Sequence, residues 1–505
     1  MLIKTYSSTL HGLSAITITI EVYLGKGINF FLVGLPDNAV KESHQRIKAA
    51  FKNNNLKFPG REITINMAPA DLKKEGSVFD LPIAIGILAV SNQISAQYLS
   101  DHLIVGELSL DGTIQPCKGL LSRAIQAKKE GFNGIIVPAL NYEEVRMLKG
   151  INIIPVHGLI DVIQFLQKKE YSVPSRNTDK QNENKDSFDF KDVQGQTHAK
   201  RAFEIAAAGG HNLLLIGPPG AGKSMLAKRM PSILPPLSLN EAIETTSIHS
   251  IAFRQGTIQG LIQKRPFRAP HHTISDVALV GGGTTPKPGE ISMAHNGILF
   301  LDELPEFKRN ALEVLRQPLE EGAVSISRAN MATEFPANFT LIAAMNPCPC
   351  GHATDPNKSC ECSSYAVQRY RSKISGPLLD RIDMHVQVSS IPLIELQSRK
   401  KEESSSDIKK RVIRAREIQE KRCNNLGHIL CNSNLSPPQI NTFCSLPKDA
   451  RHLLENAMNK LNLSARSYHR ILKVSRTIAD LEGSPGILSN HIAEALHYRC
   501  LDRGN

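Results

Sequence analysis

Residues 213–230 read LLLIGPPGAGKSMLAKRM, and this stretch decides the fold around it. Leu213 to Ile216 form an apolar run without polar alternation, the pattern of a strand buried on both faces of a parallel sheet. Gly217, Pro218, Pro219, Gly220, Ala221 and Gly222 make a Gly-rich turn, and from Lys223, Ser224 and Met225 onward the spacing is helical. At a helix N-terminus such a turn can surround phosphate oxygens with backbone N–H groups. Lys223 then supplies a charge for the β and γ phosphates and Ser224 a hydroxyl for Mg²⁺. A chance Gly-rich turn would lack the flanking strand and helix.

Further along, ILFLDEL (298–304) reads as a second strand ending in Asp302 and Glu303. Adjacent carboxylates there emerge at the edge where a parallel sheet binds ligands. Asp302 is expected in the Mg²⁺ shell and Glu303 on the attacking water. Alone, the pair would be a solvated turn; with the phosphate loop it becomes the second half of a nucleotide site. A third strand, FTLIAAMN (339–346), ends in Asn346, whose amide suits the same water. GPLLDRIDMH (376–385) sets Arg381 between Asp380 and Asp383. On residues alone Arg381 is equally a local ion-pair residue or a functional one.

Upstream, AKRAFEIAAAGG (199–210) reads as a helix stopped by Gly209 and Gly210. Strand and helix signals alternate to Val388, the pattern of a doubly wound α/β sheet of the P-loop kind over 191–390. Beyond Ser404 the pattern is almost wholly helical, from SSSDIKKRVIRAREIQEKR to SNHIAEALHYRCL, which predicts an all-α C-terminal domain over 391–505. Residues 171–190, YSVPSRNTDKQNENKDSFDF, are too poor in apolar side chains to order themselves and read as a linker. Over 1–170, ITITIEVYL, FFLVGL and GIIVPAL are strand-like while 37–53 and 122–130 have helical spacing, an α/β domain. A chain of 505 residues accommodates roughly three such domains.

The excess of 60 Lys and Arg over 48 Asp and Glu, +12, favours a polyanionic partner such as nucleic acid, although a merely basic surface fits as well. No apolar run approaches the ~18 residues of a membrane helix. Leu81 to Val90 comes nearest, interrupted by Pro82, and polar residues from Thr5 to Thr9 replace the apolar core of a signal peptide. Nine cysteines, seven of them between Cys348 and Cys444, do not resemble a secreted disulfide scaffold, and a reducing cytoplasm is expected. Four of them sit in CPCGHATDPNKSCEC (348–362) as two C-x-C pairs: Cys348, Cys350, Cys360 and Cys362. Such thiolates suit a structural Zn²⁺ that pins a loop, although C-x-C is tighter than the usual C-x₂-C; reduced surface cysteines are the alternative.

The blocks DVQGQTHAKRAFEIAAAGGHNLLLIGPPGAGKS, RPFRAPHHTIS, GEISMAHNGILFLDEL and LSARSYHRILKVSRTIADL resemble, in order, those of the ComM/YifB family of magnesium-chelatase-like AAA+ ATPases. That resemblance implies a homohexameric, ATP-hydrolysing DNA motor, a branch-migration helicase acting on single-stranded or branched DNA during recombination. It further implies Arg381 as an arginine finger on the neighbouring subunit's ATP. Arg466 would be a second sensor in a helical lid, Arg470 being the weaker candidate, and 193–196 would lie beside the adenine. The insert 254–295 and a hairpin over 322–335 with Arg328 near its tip resemble the family's pore loops. The N-terminal domain resembles the proteolytic domain of Lon proteases without its chemistry: Val78 stands at the nucleophile position and Leu121 at the general-base position. An offset Ser77–Lys118 dyad is the alternative. The rival function is a motor that remodels a protein partner, as a magnesium chelatase subunit does, and the Lon-like domain is expected to be foreign to that subunit.

Overall fold

The computed structural model describes residues 2–168, 170–171, 188–252, 260–283, 286–328, 331–355, 358–390, 402–423, 431–461, 463–499 and 501. Of the expected linker, residues 172–187 lie outside the described residues, as do 254–259 and 284–285 of the insert, the tip 329–330 and the side chain of Arg328. The chain divides into two compact units.

One unit combines the described parts of Met1–Gln181, Leu239–Ile262 and Ala329–Phe335. Its seven-stranded mixed sheet runs in the order Phe30–Val33, Ile63–Ala68, Ser14–Leu24, Leu2–His11, His102–Ile104, Gly134–Pro138 and Asn152–Val156. Leu2–His11 pairs antiparallel with Ser14–Leu24 from Leu2↔Tyr23 to His11↔Ser14, as alternating side chains on a two-residue connection allow. Helix Asp80–Val90, the apolar stretch that looked nearest to a membrane segment, is buried at every position and forms the centre of this core. No helix among the described residues is long and apolar enough to cross a membrane.

Helix Leu239–Ala252 belongs with this unit although it follows the phosphate loop in sequence. Its Ser250 hydroxyl donates to the buried Glu144 carboxylate at 2.6 Å and accepts from Gly119 N–H at 3.0 Å. Burial pushes the Glu144 carboxyl up, and bonds from Ser250, Leu121 N–H and Asn141 oppose that shift. A buried carboxyl needs such donors, and the helix supplies one of them.

The other unit combines the described parts of Asn182–Ser238, Gln263–Arg328 and Pro336–Asn505. Five strands, all parallel, run in the order Phe267–Arg268, Ile298–Leu301, Thr340–Met345, Leu213–Ile216 and Met384–Gln387. Every residue of Leu213–Ile216 and Ile298–Leu301 is buried, as apolar runs covered on both faces should be. Helix Thr197–Gly209 ends on Gly210 in the left-handed region, as its Gly-Gly predicts. From Ser405 the described elements are helices: Ser405–Cys423, Pro437–Phe443, Lys448–Leu461, Ala465–Glu482 and Ser489–His497, with a short 3₁₀ turn at Asn432–Asn434. Of the expected hairpin over 322–335, strand Ala323–Arg328 belongs to this unit, while strand Met331–Pro336 falls mostly in the first.

Candidate nucleotide site

Strand order builds the site. Thr340–Met345 lies between the strand that precedes the phosphate loop and the strand that precedes Asp302, in the register Ile216↔Met345 and Leu301↔Ala343. All three strands are parallel, so their C-terminal ends deliver the loop, Asn346 and the Asp302–Glu303 pair to one edge. Asn346, one residue past the middle strand, lines a cavity with residues that follow both neighbouring strands.

The helix after the loop, Lys223–Ile233, starts from Gly222 at φ +85°, a backbone a side chain would strain. Lys223 is 8 % exposed and its Nζ donates to Gly217 O at 2.6 Å, Pro218 O at 3.0 Å and Asn346 Oδ1 at 3.1 Å. Burial lowers its pKa below the ordinary lysine value, while Asp302 and Glu303 pull it back up. Ser224 Oγ donates to Asp302 Oδ2 at 2.5 Å. A hydroxyl beside a carboxylate gives two hard oxygens at one point, the donor type Mg²⁺ prefers.

Glu303 sits in the left-handed region at φ +51°. For a residue with a β-carbon this conformation costs about 1–3 kcal/mol and persists only where the surrounding structure over-determines it, as is common at active sites. Its N–H donates to Asp302 Oδ1 at 3.0 Å, and its half-exposed carboxylate faces His272 Nδ1 at 3.3 Å. A cavity of about 360 Å³ is lined by residues 219–225, Asp302, Glu303, Met345 and Asn346. The cavity therefore brings together most of the residues expected from sequence, from Pro219 to Met225 with Asp302, Glu303 and Asn346.

Arg381 and Arg466 fall in a second group. Arg381 is 5 % exposed, donates through Nη1 to Pro377 O at 2.6 Å and forms an ion pair with Glu320 through Nη2. Its bond to Glu320 comes first among the causes that hold that carboxyl below its ordinary value, and Arg466 and Arg316 add to the effect. Arg466 is exposed. Arg470 instead pairs with Asp383. Burial alone would raise the Asp383 carboxyl, but Arg470, His211 and the Asn212 N–H outweigh it and hold it far below the carboxylate range. Thus Arg381 takes Glu320, and Asp383, one of its two sequence neighbours, takes Arg470.

Four thiols, Cys348, Cys350, Cys360 and Cys362, converge just beyond Asn346. In the other unit Val78 and Leu121 are both buried in the apolar core. Sequence reasoning missed His272 beside Glu303, Glu320 beside Arg381, and Tyr370. Tyr370 is buried, and that burial pushes its phenol up to about 12. No spacing rule marks any of them; the His-His pair at 271–272 in a basic insert was the only local signal.

Three family models match most of the chain. The model described as magnesium chelatase, subunit ChlI, matches residues 189–396; subunit ChlI of Mg-chelatase matches 20–141; and the subunit ChlI C-terminal model matches 402–499. The chain is 46% identical over 504 residues to the competence protein ComM of Haemophilus influenzae, covering 99% of this chain and 97% of that protein. It is 45% identical over 494 residues to the uncharacterized protein YifB of Salmonella typhimurium, covering 97% and 96%. A Lon protease of Aster yellows witches'-broom phytoplasma is 28% identical over 167 residues, 30% of this chain and 21% of that protein.

Proposed function

We propose, from the premise that the chain belongs to the ComM/YifB family of magnesium-chelatase-like AAA+ ATPases, that it is an ATP-driven DNA motor. In this reading it is a homohexameric branch-migration helicase acting on single-stranded or branched DNA during recombination. The observation that carries the reading is the likeness to a competence protein over 99% of the chain. The charge of +12 supports it, since basic surfaces bind phosphate backbones without reading sequence.

Each residue of the cavity has a role in this reading. The loop 217–222 cradles the phosphates of ATP with its N–H groups and Lys223 binds their charge. Ser224 and Asp302 hold Mg²⁺, which would neutralise charge on the phosphates when bound. Glu303 orients the attacking water and draws off its proton, and Asn346 fixes that water from the central strand. Residues 193–196 flank the adenine. Arg381 is the finger for a neighbouring subunit, and Arg466, in the helical lid, is the second sensor. The Lon-like domain is read as a non-catalytic module, with apolar Val78 and Leu121 in place of a nucleophile and base.

The rival, remodelling of a protein partner, draws support from the chelatase names of the matching models. One of them covers residues 20–141, so the N-terminal domain does not separate the two readings as the sequence suggested. ATPase rates with no DNA, single strands, duplex and a four-way junction separate them. Stimulation by DNA that fades steeply with salt is expected, because phosphate contacts release counterions. A rate unchanged by every DNA form at low salt overturns the motor reading.

A further inference from the structure

The Sγ atoms of Cys348, Cys350, Cys360 and Cys362 all lie within 4.8 Å of one another. Cys348 Sγ is 3.3 Å from Cys350 Sγ and 3.6 Å from Cys360 Sγ, and Cys350 Sγ is 3.6 Å from Cys360 Sγ. A tetrahedral Zn²⁺ with Zn–S bonds of ≈ 2.3 Å requires sulfurs about 3.8 Å apart. A disulfide would require about 2.05 Å. The spacing is that of a ligand shell. Ala353 N–H points at Cys348 Sγ from 3.3 Å, the kind of outer donor that steadies a thiolate ligand. Four soft sulfurs select Zn²⁺ over hard cations and leave no open position for catalysis.

What the cluster touches is more informative than the cluster itself. Gly351, one residue past Cys350, packs on the phosphate loop so closely that a Cβ there would lie 2.6 Å from Pro219 Cδ. Its φ of +84° also excludes most side chains. On the other side, Cys348 follows Asn346 by two residues. Directly after Cys362, Ser363 caps helix Ser364–Arg371 by accepting from Ala366 N–H at 3.2 Å. That helix carries Tyr370, which lines a second cavity together with Asn346 and Glu303.

We propose that these four cysteines bind a structural Zn²⁺ that fixes both walls of the nucleotide cavity. Pro219 is held through Gly351, and Asn346 through Cys348, two residues further along the chain. The metal site stands on thiol geometry alone; its effect on ATP rests on reading the cavity as a nucleotide site.

The test uses the full chain purified without chelator, with zinc counted by mass spectrometry. Affinity for a fluorescent ATP analogue is measured without DNA, so the result is independent of the DNA reading. About one zinc per chain is expected, as four thiolate ligands complete one tetrahedral shell. Stripping zinc with a mercurial, or Cys360→Ser, should weaken the analogue by about tenfold or more, the affinity lost with one displaced charge-assisted phosphate contact. Thiol plus Zn²⁺ should restore the stripped protein. Gly351→Ala should keep its zinc yet lose affinity, and it carries the test if Cys360→Ser does not fold. Protein that holds no zinc and takes up none overturns the site. Zinc whose removal leaves affinity unchanged overturns the coupling. Zinc-loaded wild type that binds no nucleotide overturns the nucleotide reading and leaves the metal site standing.

Discussion

Replacing Lys223 by Met separates binding from stability. In the fold the ammonium is almost fully buried and its donors meet three neutral acceptors, Gly217 O, Pro218 O and Asn346 Oδ1. Burying a charge among neutral acceptors costs free energy, and that cost appears as the lowered Lys223 pKa. Met fills similar volume without the charge. The lost hydrogen bonds and the removed desolvation penalty oppose each other, so stability should change by no more than about 1 kcal/mol. ATP affinity should behave differently, because a charge-assisted bond to phosphate contributes about 1.5–3 kcal/mol. At 1.4 kcal/mol per decade the expected loss is about ten- to hundredfold. The pH dependence has a definite sign. Neutral lysine binds phosphate less well, so the wild-type Kd for ATP should rise with pH and begin to do so below the ordinary lysine value of 10.5. Lys223→Met should lose that rise. Equilibrium nucleotide binding across pH, with denaturant unfolding of both proteins, reads both quantities. Unchanged affinity, or a loss of stability above about 2 kcal/mol, refutes the assignment of Lys223 to phosphate binding.

Two further outcomes test neighbouring claims. Glu303→Gln should keep nucleotide affinity within about threefold yet lose at least about a hundredfold in turnover, the scale of a lost general base; equal loss of both would make Glu303 a binding residue. Peptidase assays on casein should stay blank, since Val78 and Leu121 are core side chains; cleavage that disappears in Ser77→Ala would establish an offset dyad.

Local chemistry was legible and long-range partnership was not. The phosphate loop is written in consecutive residues, and strand, turn and helix each carry their own signal there. Asp302, Glu303 and Asn346 were legible because each ends an apolar run, and parallel strands place run-ends along one edge. The four thiols were legible by spacing. By contrast, nothing near Leu239–Ala252 shows that Ser250 will meet a buried Glu144 more than a hundred residues upstream. Glu320 gives no local sign that it will take Arg381 in place of Asp380 and Asp383. Gly351 reads as an ordinary turn glycine until Pro219 is seen against it. Each of these depends on the order in which strands, helices and loops come together, which periodicity does not encode.

The position of Arg381 bears on whether the active site is shared between subunits. Arg381 and Arg466 both act on the Glu320 carboxylate, whereas Lys223, Ser224, Asp302, Glu303 and Asn346 meet around the cavity. If Arg381 reaches a neighbour's ATP, it must exchange Glu320 for phosphate. Glu320→Gln should then leave ATPase intact or raise it, while Arg381→Ala should lower it by about a thousandfold or more, the magnitude of an arginine finger supplied in trans. A purely structural pair predicts something else: both substitutions break the same contact, and the larger cost falls on the variant that leaves the buried guanidinium without its carboxylate, Glu320→Gln. Mixing adds a second criterion. If the subunits form a ring with Arg381 as the finger, Lys223→Met damages its own cavity but leaves a finger for the neighbour, and Arg381→Ala does the reverse. Rings that exchange subunits will then contain some interfaces with an intact loop and an intact finger. Activity should return in proportion to those interfaces, and Arg466→Ala should complement Lys223→Met in the same way if Arg466 serves the same neighbour. Exchanging mixtures that stay inactive, while wild type diluted with either variant keeps proportional activity, would show that Arg381 serves only its own subunit's fold.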